Sequence, residues 1–140
     1  MPALSLWYTF RVSLTLSEIK NAFSGRLVGN QQMINSVCQI VKFLPEKIQK
    51  YVSRNVWFIS SPDDAWAFTF RGSDIANRHL IVISDELLKQ NEQQIRYTIL
   101  HEIGHVMLGH ENSIGRVQTQ AEIKRQEVAA DAFAKKHLNF

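Results

Sequence analysis

Apolar and polar residues alternate at the start of the chain, and this alternation predicts a β-strand. Every even position from Leu4 to Leu16 is apolar, and a period of two places these side chains on one face of a strand. The end of the run also fits a helix start, because Thr15 and Glu18 have the spacing of a capping box. We predict a strand up to about residue 13, followed by a short helix that ends near Gly25.

Two helices and three strands are predicted in the middle of the chain. Asn30 can cap a helix whose apolar face runs from Met33 to Leu44, and Pro45 both ends that helix and suits the first turn of another, which runs to about residue 54. Runs rich in β-branched and aromatic residues then predict strands over 56–60, 65–71 and 79–84. We expect the aromatic side chains of these strands in the core of the sheet: Trp57, Phe58, Trp66, Phe68 and Phe70.

The last third of the chain predicts two longer helices. Asn91 and Gln94 again have capping-box spacing, so a helix is expected from there through about Leu108, with Gly109 ending it. A final helix is predicted over about 118–138. Because helices come first, then strands, then helices, the order indicates an α+β fold rather than an alternating α/β fold. We expect a small, mainly antiparallel twisted sheet in a single domain over residues 1–140.

Composition and charge narrow the class of protein. The chain has 140 residues, of which 45% are hydrophobic and 21% charged, as is typical of one folded domain. A lone cysteine, Cys38, cannot form an intrachain disulfide and is expected in the core. A net charge of +3 does not demand direct nucleic-acid binding. No apolar run has the length of a membrane helix, and the N-terminus lacks the basic start of a secretory signal, so we expect a soluble cytoplasmic protein.

Residues 101–105 read His101-Glu102-Ile103-Gly104-His105, an HExxH motif. On a helix, residues four apart lie about 40° apart around the axis, so both imidazoles can reach one metal ion. Glu102 lies beside them, placed to act on a metal-bound water as a general base. Two partly exposed histidines on a surface helix are the alternative, but the apolar residues around the motif disfavour it.

A catalytic zinc site needs a third protein ligand and one open position. The metzincin pattern requires a glycine three residues and a histidine six residues after His105, and those positions hold Leu108 and Glu111. The metzincin interpretation therefore fails. His110 would lie about 140° around the helix from His105, facing away if the helix continued.

Glu127 on the last predicted helix is the better candidate for the third ligand. Glu127 and Asp131 are four residues apart and share a helix face, bordered by Ala130 and Ala134, whose small side chains would let this helix approach the His101 helix. We predict that Glu127 binds the metal and that Asp131 accepts the second ring N–H of a metal-bound histidine. An exposed glutamate and aspartate on an amphipathic helix are the alternative.

The segments 96–110 and 127–134 together resemble the core of the ImmA/IrrE-type (DUF955) metallopeptidases, which are small gluzincins. That family has Arg and Thr before HExGH, a leucine and a histidine soon after it, and a glutamate helix that ends in a small residue, Asp or Asn, any residue, Phe and Ala. The resemblance covers about residues 80–134. It implies a zincin-like fold with a backing helix, a metal-binding helix and a glutamate helix. It further implies zinc bound by His101, His105 and Glu127, with Glu102 as the general base and a DNA-binding repressor among the substrates.

The residue that would stabilise the tetrahedral oxyanion is left open. The candidates are Tyr97, His110, Arg116 and His137. Tyr97 also fits core packing, and the other three also fit plain surface positions. His79, which begins a predicted strand, is expected at the surface.

These observations predict a zinc-dependent endopeptidase that hydrolyses a peptide bond in a peptide or protein substrate. An exposed strand edge near the site would hold the substrate by backbone hydrogen bonds. The alternative is a zinc-stabilised regulatory binding module that sequesters a partner without cleaving it. The missing electrophile favours this alternative, whereas Glu102 disfavours it, because metal binding alone does not need that residue.

Overall fold

A computed structural model of the protein describes residues 14–62, 67–71, 78–110 and 118–138, the strand at 67–71 by its backbone alone. The strand predicted at residues 4–13 and the loop predicted around residues 72–77 lie outside the described residues. The elements are α1 (Leu16–Phe23), β1 (Leu27–Val28), α2 (Gln31–Lys42), α3 (Glu46–Asn55), β2 (Val56–Ser61), β3 (Ala67–Arg71), β4 (His79–Ser84), α4 (Asp85–Leu88), α5 (Glu92–Met107) and α6 (Gln120–His137). The fold is therefore of the predicted α+β class.

The helix starts are fixed by the caps that the sequence predicts. Thr15 and Glu18 form a reciprocal capping box at α1, and the Asn30 side chain accepts a hydrogen bond from the Met33 N–H at 2.8 Å at the start of α2. The Asn91 side chain does the same for the Gln94 N–H at the start of α5, also at 2.8 Å. Each cap satisfies a backbone N–H that the helix itself leaves unpaired. The predicted helix starts are confirmed.

The sheet is mainly parallel, so the prediction of a mainly antiparallel sheet is wrong. Its strand order is β1-β2-β4-β3, with β1–β2 and β2–β4 parallel and only β3–β4 antiparallel. Three strands close together in sequence suggest a meander, but β4 lies between β2 and β3. Four of the six residues of β4 are buried. A position between two other strands suits such a strand, because the backbone hydrogen-bonding groups along both of its edges then have partners. β1, with two residues, is too short to produce a periodic signal.

One face of the sheet joins the inner faces of the helices in a single core. Phe58 on β2 and Ile81 and Ile83 on β4 are fully buried, and they belong to one cluster with apolar residues of α1, α2, α3 and α5. The core position predicted for Phe58 is confirmed, whereas Trp57, on the other face of the sheet, is 38% exposed. The side chains of Trp66, Phe68 and Phe70 lie outside the described part of the chain.

Two further positions test the sequence interpretation. Cys38 is buried as predicted, and burial raises the pKa of its thiol. His79 is buried, so the prediction of a surface position is wrong. It continues the period-two run of Ile81 and Ile83 toward the core, and its Nε2 lies 2.9 Å from the Tyr51 hydroxyl of α3. That hydroxyl gives the buried imidazole a polar partner, as a buried polar group requires.

Across the described ranges, none of the helices combines the length and the apolar character needed to cross a membrane.

Candidate metal centre

Helix α5 presents the HExxH motif at the border of its buried face. Ile99, Leu100 and Ile103 are fully buried, which fixes the rotation of the helix against the core. His101 and His105 lie one turn apart beside this stripe, with side chains 14% and 12% exposed. Glu102 is 7% exposed. The core therefore determines the direction in which the three side chains of the motif project.

Helix α6 packs closely on α5 because small residues meet at the crossing. Ala130 and Ala134 are fully buried, as the sequence predicts. On the α5 side the position is Gly104, where a Cβ would lie 3.1 Å from Cβ of Phe133 and 3.2 Å from the Ala130 carbonyl oxygen. The role of Gly104 in this approach was missed by the sequence interpretation, although the glycine stands inside the motif itself.

This close packing brings Glu127 to the two histidines. Its carboxylate oxygens lie 3.0 Å from Nε2 of His101 and 3.1 Å from Nε2 of His105. The two Nε2 atoms are themselves 3.1 Å apart. The residues predicted as metal ligands from the sequence thus meet at one point, and within the described residues they form the one group of at least three His, Cys, Asp or Glu side chains that could hold a metal ion.

The arrangement fits a zinc ion. Tetrahedral zinc with ligand bonds of about 2.0–2.1 Å separates its ligand atoms by about 3.3 Å, close to the distances between these three side chains. Two imidazoles and one carboxylate are a donor set found in catalytic zinc sites. Because two neutral imidazole lone pairs that face each other repel, a cation between them is the favourable occupant.

Asp131 lies behind His101 and contacts it directly. Its Oδ1 is 2.8 Å from Nδ1 of His101 and accepts a second hydrogen bond from the Tyr97 hydroxyl at 2.5 Å. A proton on Nδ1 of His101 leaves the Nε2 lone pair directed toward Glu127. The sequence predicted Asp131 as such a partner for one of the two histidines, without stating which, and in the structure the contact is to His101.

The same contacts shift two pKa values. The hydrogen bond to Asp131 raises the pKa of Tyr97 to about 12, with smaller contributions from burial and the nearby carboxylate charges. The Tyr97 hydrogen bond in turn lowers the pKa of Asp131, and His101 acts in the same direction. Tyr97, a candidate for oxyanion stabilisation, has its hydroxyl committed to Asp131.

His110 contacts His105 because α5 ends in a chain reversal. Gly109 has φ +72°, and the N–H groups of Gly109 and His110 donate to the carbonyls of Val106 at 3.2 Å and His105 at 3.0 Å, which is the pattern of a Schellman motif. The Nδ1 atoms of His110 and His105 are 2.8 Å apart. From the sequence we expected His110 to face away from His105 if the helix continued past Leu108. The helix ends there instead, and Gly109 is the residue that signals its end.

The pKa of His105 is lowered to about 4, chiefly by burial; the charge of Glu127 opposes this shift, and His101 and His110 contribute to it. The pKa of His110 is also lowered, again chiefly by burial. Both rings therefore favour the neutral form that a metal ligand requires.

The remaining candidates for oxyanion stabilisation lie apart from these contacts or outside the description. His137 packs on Phe133, with ring centroids 4.6 Å apart, and burial lowers its pKa. Arg116 lies outside the described residues. In the part of the chain that the structure describes, the three candidate side chains Tyr97, His110 and His137 all have partners other than a substrate.

Comparison with known proteins relates this region to peptidases. Residues 85–139 match the model of the family described as Peptidase U49, a stretch that includes α4, α5 and α6 and all the candidate site residues above. No curated protein and no solved structure matches the chain. The family match supports a peptidase, and therefore a hydrolase of peptide bonds, and it is to a different family from the one that the motifs resemble.

Proposed function

We propose that the chain is a zinc-dependent endopeptidase of the gluzincin type, with a zincin-like fold related to the ImmA/IrrE-type enzymes. His101, His105 and Glu127 hold the zinc ion, and Glu102 is the general base. The observation that carries the proposal is the convergence of two Nε2 atoms and one carboxylate, with separations of 3.0–3.1 Å. The family match over residues 85–139 supports the peptidase class.

Each residue of the proposed site has a defined part in hydrolysis. A zinc ion with an open position lowers the pKa of water toward about 7 and polarises a peptide carbonyl. Glu102 follows His101 on α5 and is 7% exposed, so its carboxylate is largely shielded from bulk water. It takes the proton of the attacking water and passes it to the leaving amine nitrogen. Asp131 holds His101 in the tautomer that leaves Nε2 free to bind the metal.

Strand β3 is the proposed binding edge for the substrate. Among the described strands it pairs only with β4, which leaves its other edge without a strand partner there, and its backbone contacts α5. An extended peptide can pair with such an edge through main-chain hydrogen bonds. The resemblance to ImmA/IrrE-type enzymes suggests a regulatory protein, such as a DNA-binding repressor, as the substrate.

The decisive experiment compares wild type with Glu102→Gln and His105→Ala, each incubated with zinc and an unbiased mixture of peptides. We expect Glu102→Gln to retain zinc and the fold but to lose hydrolysis, because the amide preserves size and cannot accept the proton. His105→Ala should lose zinc. Glu92→Gln, an exposed position on the same helix, is the matched control and should cleave like wild type. Cleavage by Glu102→Gln at the wild-type rate would assign the base to another residue.

A zinc-stabilised binding module that sequesters a partner is the second candidate. It is favoured by one observation: Tyr97 and His110, two candidates for oxyanion stabilisation, bond instead to Asp131 and His105. For such a module, the zinc-loaded wild type and Glu102→Gln would bind a repressor with equal affinity, and neither would cleave it. Mass spectrometry of the partner after incubation separates the two functions.

A further inference from the structure

We propose that His110 is a positioning residue for the metal site: its Nδ1 accepts a hydrogen bond from Nδ1–H of His105 and so keeps the Nε2 lone pair of His105 directed at the metal. The inference rests on the proposed zinc site. It gives the second metal-binding histidine a partner of its own, as Asp131 is the partner of the first.

The contact between the two rings permits only two arrangements. The Nδ1 atoms lie 2.8 Å apart, so a single proton lies between them. If His105 donates, its Nε2 is unprotonated and can bind a metal. If His110 donates, a neutral His105 carries its proton on Nε2, where it points at Glu127 and prevents coordination. The direction of this one hydrogen bond therefore decides whether His105 can act as a ligand.

The surroundings of His105 make an acceptor necessary. The side chain is 12% exposed, so a protonated Nδ1 without a partner would be a nearly buried, unsatisfied donor. His110 reaches this position through the backbone, because its N–H donates to the carbonyl of His105 at 3.0 Å. The ring centroids are 5.1 Å apart with an interplanar angle of 63°, an edge contact that suits a nitrogen-to-nitrogen hydrogen bond.

His110 and Asp131 reach the site from different parts of the chain. Asp131 comes from α6 and depends on the packing of that helix, whereas His110 is tied to the end of α5, the same helix that carries its target. Loss of His110 should therefore weaken the metal site without separating α5 from α6. This difference makes the role testable by substitution at a single position.

The test compares His110→Asn with His110→Leu, two side chains of nearly the same shape. Asn places a carbonyl oxygen near the position of Nδ1 and can accept the hydrogen bond; Leu cannot. We expect His110→Asn to bind zinc within about threefold of wild type and His110→Leu to bind about 10- to 100-fold more weakly, measured by competition with a zinc chelator. His137→Leu removes a histidine outside the site and should bind zinc like wild type.

A second measurement reads the tautomer directly. Long-range proton–nitrogen NMR of the metal-free wild type, in which no metal fixes the tautomer, should show the proton of His105 on Nδ1, and a proton on Nε2 would overturn the inference even if His110→Leu failed to fold. Equal zinc affinities for His110→Leu and wild type, or equal losses in His110→Asn and His110→Leu, would also overturn it while leaving the zinc site intact. A wild-type chain that binds no zinc would instead refute the site on which the inference rests.

Discussion

Replacing Asp131 with alanine removes one carboxylate oxygen that accepts two hydrogen bonds. The donors are Nδ1 of His101 at 2.8 Å and the Tyr97 hydroxyl at 2.5 Å. In the metal-free protein we expect the pKa of Tyr97 to fall from about 12 toward the ordinary value of about 10, because the phenol then no longer donates to a negative acceptor. Partial burial and the charge of Glu127 should keep it slightly above that value.

Zinc binding should weaken by a calculable amount. Partners of metal-bound histidines typically matter by about 10- to 100-fold in affinity, which corresponds to about 1.4–2.7 kcal/mol. The side chain of Asp131 is 43% exposed, so water can replace part of the lost interaction with His101, and we expect about 10-fold. Asp131→Asn retains a neutral acceptor and should lie between wild type and Asp131→Ala.

Two assays follow the two donors separately. Carbon-13 NMR of labelled tyrosine, taken up to about pH 11, reports the ionisation of Tyr97, with Tyr97→Phe assigning its signal and Tyr51 as the internal control. Chelator competition reports zinc affinity. If Tyr97 of Asp131→Ala stays protonated at about pH 11, the carboxylate is not the cause of its high pKa. Unchanged zinc affinity would mean that the bond to His101 does not support the metal site.

Three further predictions concern the helix crossing, the chain reversal and pH. Gly104→Ala would bring a Cβ to 3.1 Å from Phe133. The cost of overpacking, about 1–3 kcal/mol, should exceed the gain in helix propensity of about 1 kcal/mol, so urea unfolding should show a lower free energy of unfolding. Wild-type stability together with wild-type zinc affinity would contradict this prediction. In Gly109→Ala the added Cβ has no neighbour within 4 Å, but the alanine must adopt φ +72°. The left-handed conformation costs an L-residue about 1–2 kcal/mol, and thermal unfolding should show a loss of that size. Because the folded pKa of His105 is about 4 and the unfolded value about 6.5, the unfolded state binds more protons between these values. The stability of the metal-free protein should fall as pH drops through that window, and His105→Asn should flatten the curve; an identical slope in this variant would assign the effect to other groups.

Local signals in the sequence predicted the helices, and they identified three candidate ligands whose side chains the structure brings together. Caps such as Asn30 and Asn91 act over three residues, and the HExxH spacing acts over one helical turn, so both can be recognised without knowing the rest of the fold. Two helical spacings and a face of small residues also predicted that Asp131 contacts one of the two histidines, but they did not state that this histidine is His101. Whether these residues bind zinc stays a prediction.

Long-range features were not predictable in the same way. The alternation within β2 and β4 identifies strands but does not state which strand is the neighbour of which, and the parallel pairing of the two was therefore missed. The burial of His79 could have been predicted only by extending the period-two pattern of Ile81 and Ile83 back to the first residue of the strand. His110 depended on a reversal of the chain direction, which a helical projection cannot represent.

The small residues that let α6 approach α5 also leave α6 weakly anchored. Only Ala130 and Ala134 of this helix are fully buried, and at about 0.8 kcal/mol per buried carbon two methyl groups add little. In the metal-free protein α6 should therefore open locally more often than α2, which buries five residues. An ion bound by both helices would suppress this opening, by about 4 kcal/mol at a thousandfold excess over its dissociation constant. The hydrogen-exchange rates of the α6 amides would then fall as the metal concentration rises. The exchange rates of the α2 amides would not change in this way, because α2 is held by its contacts in the core.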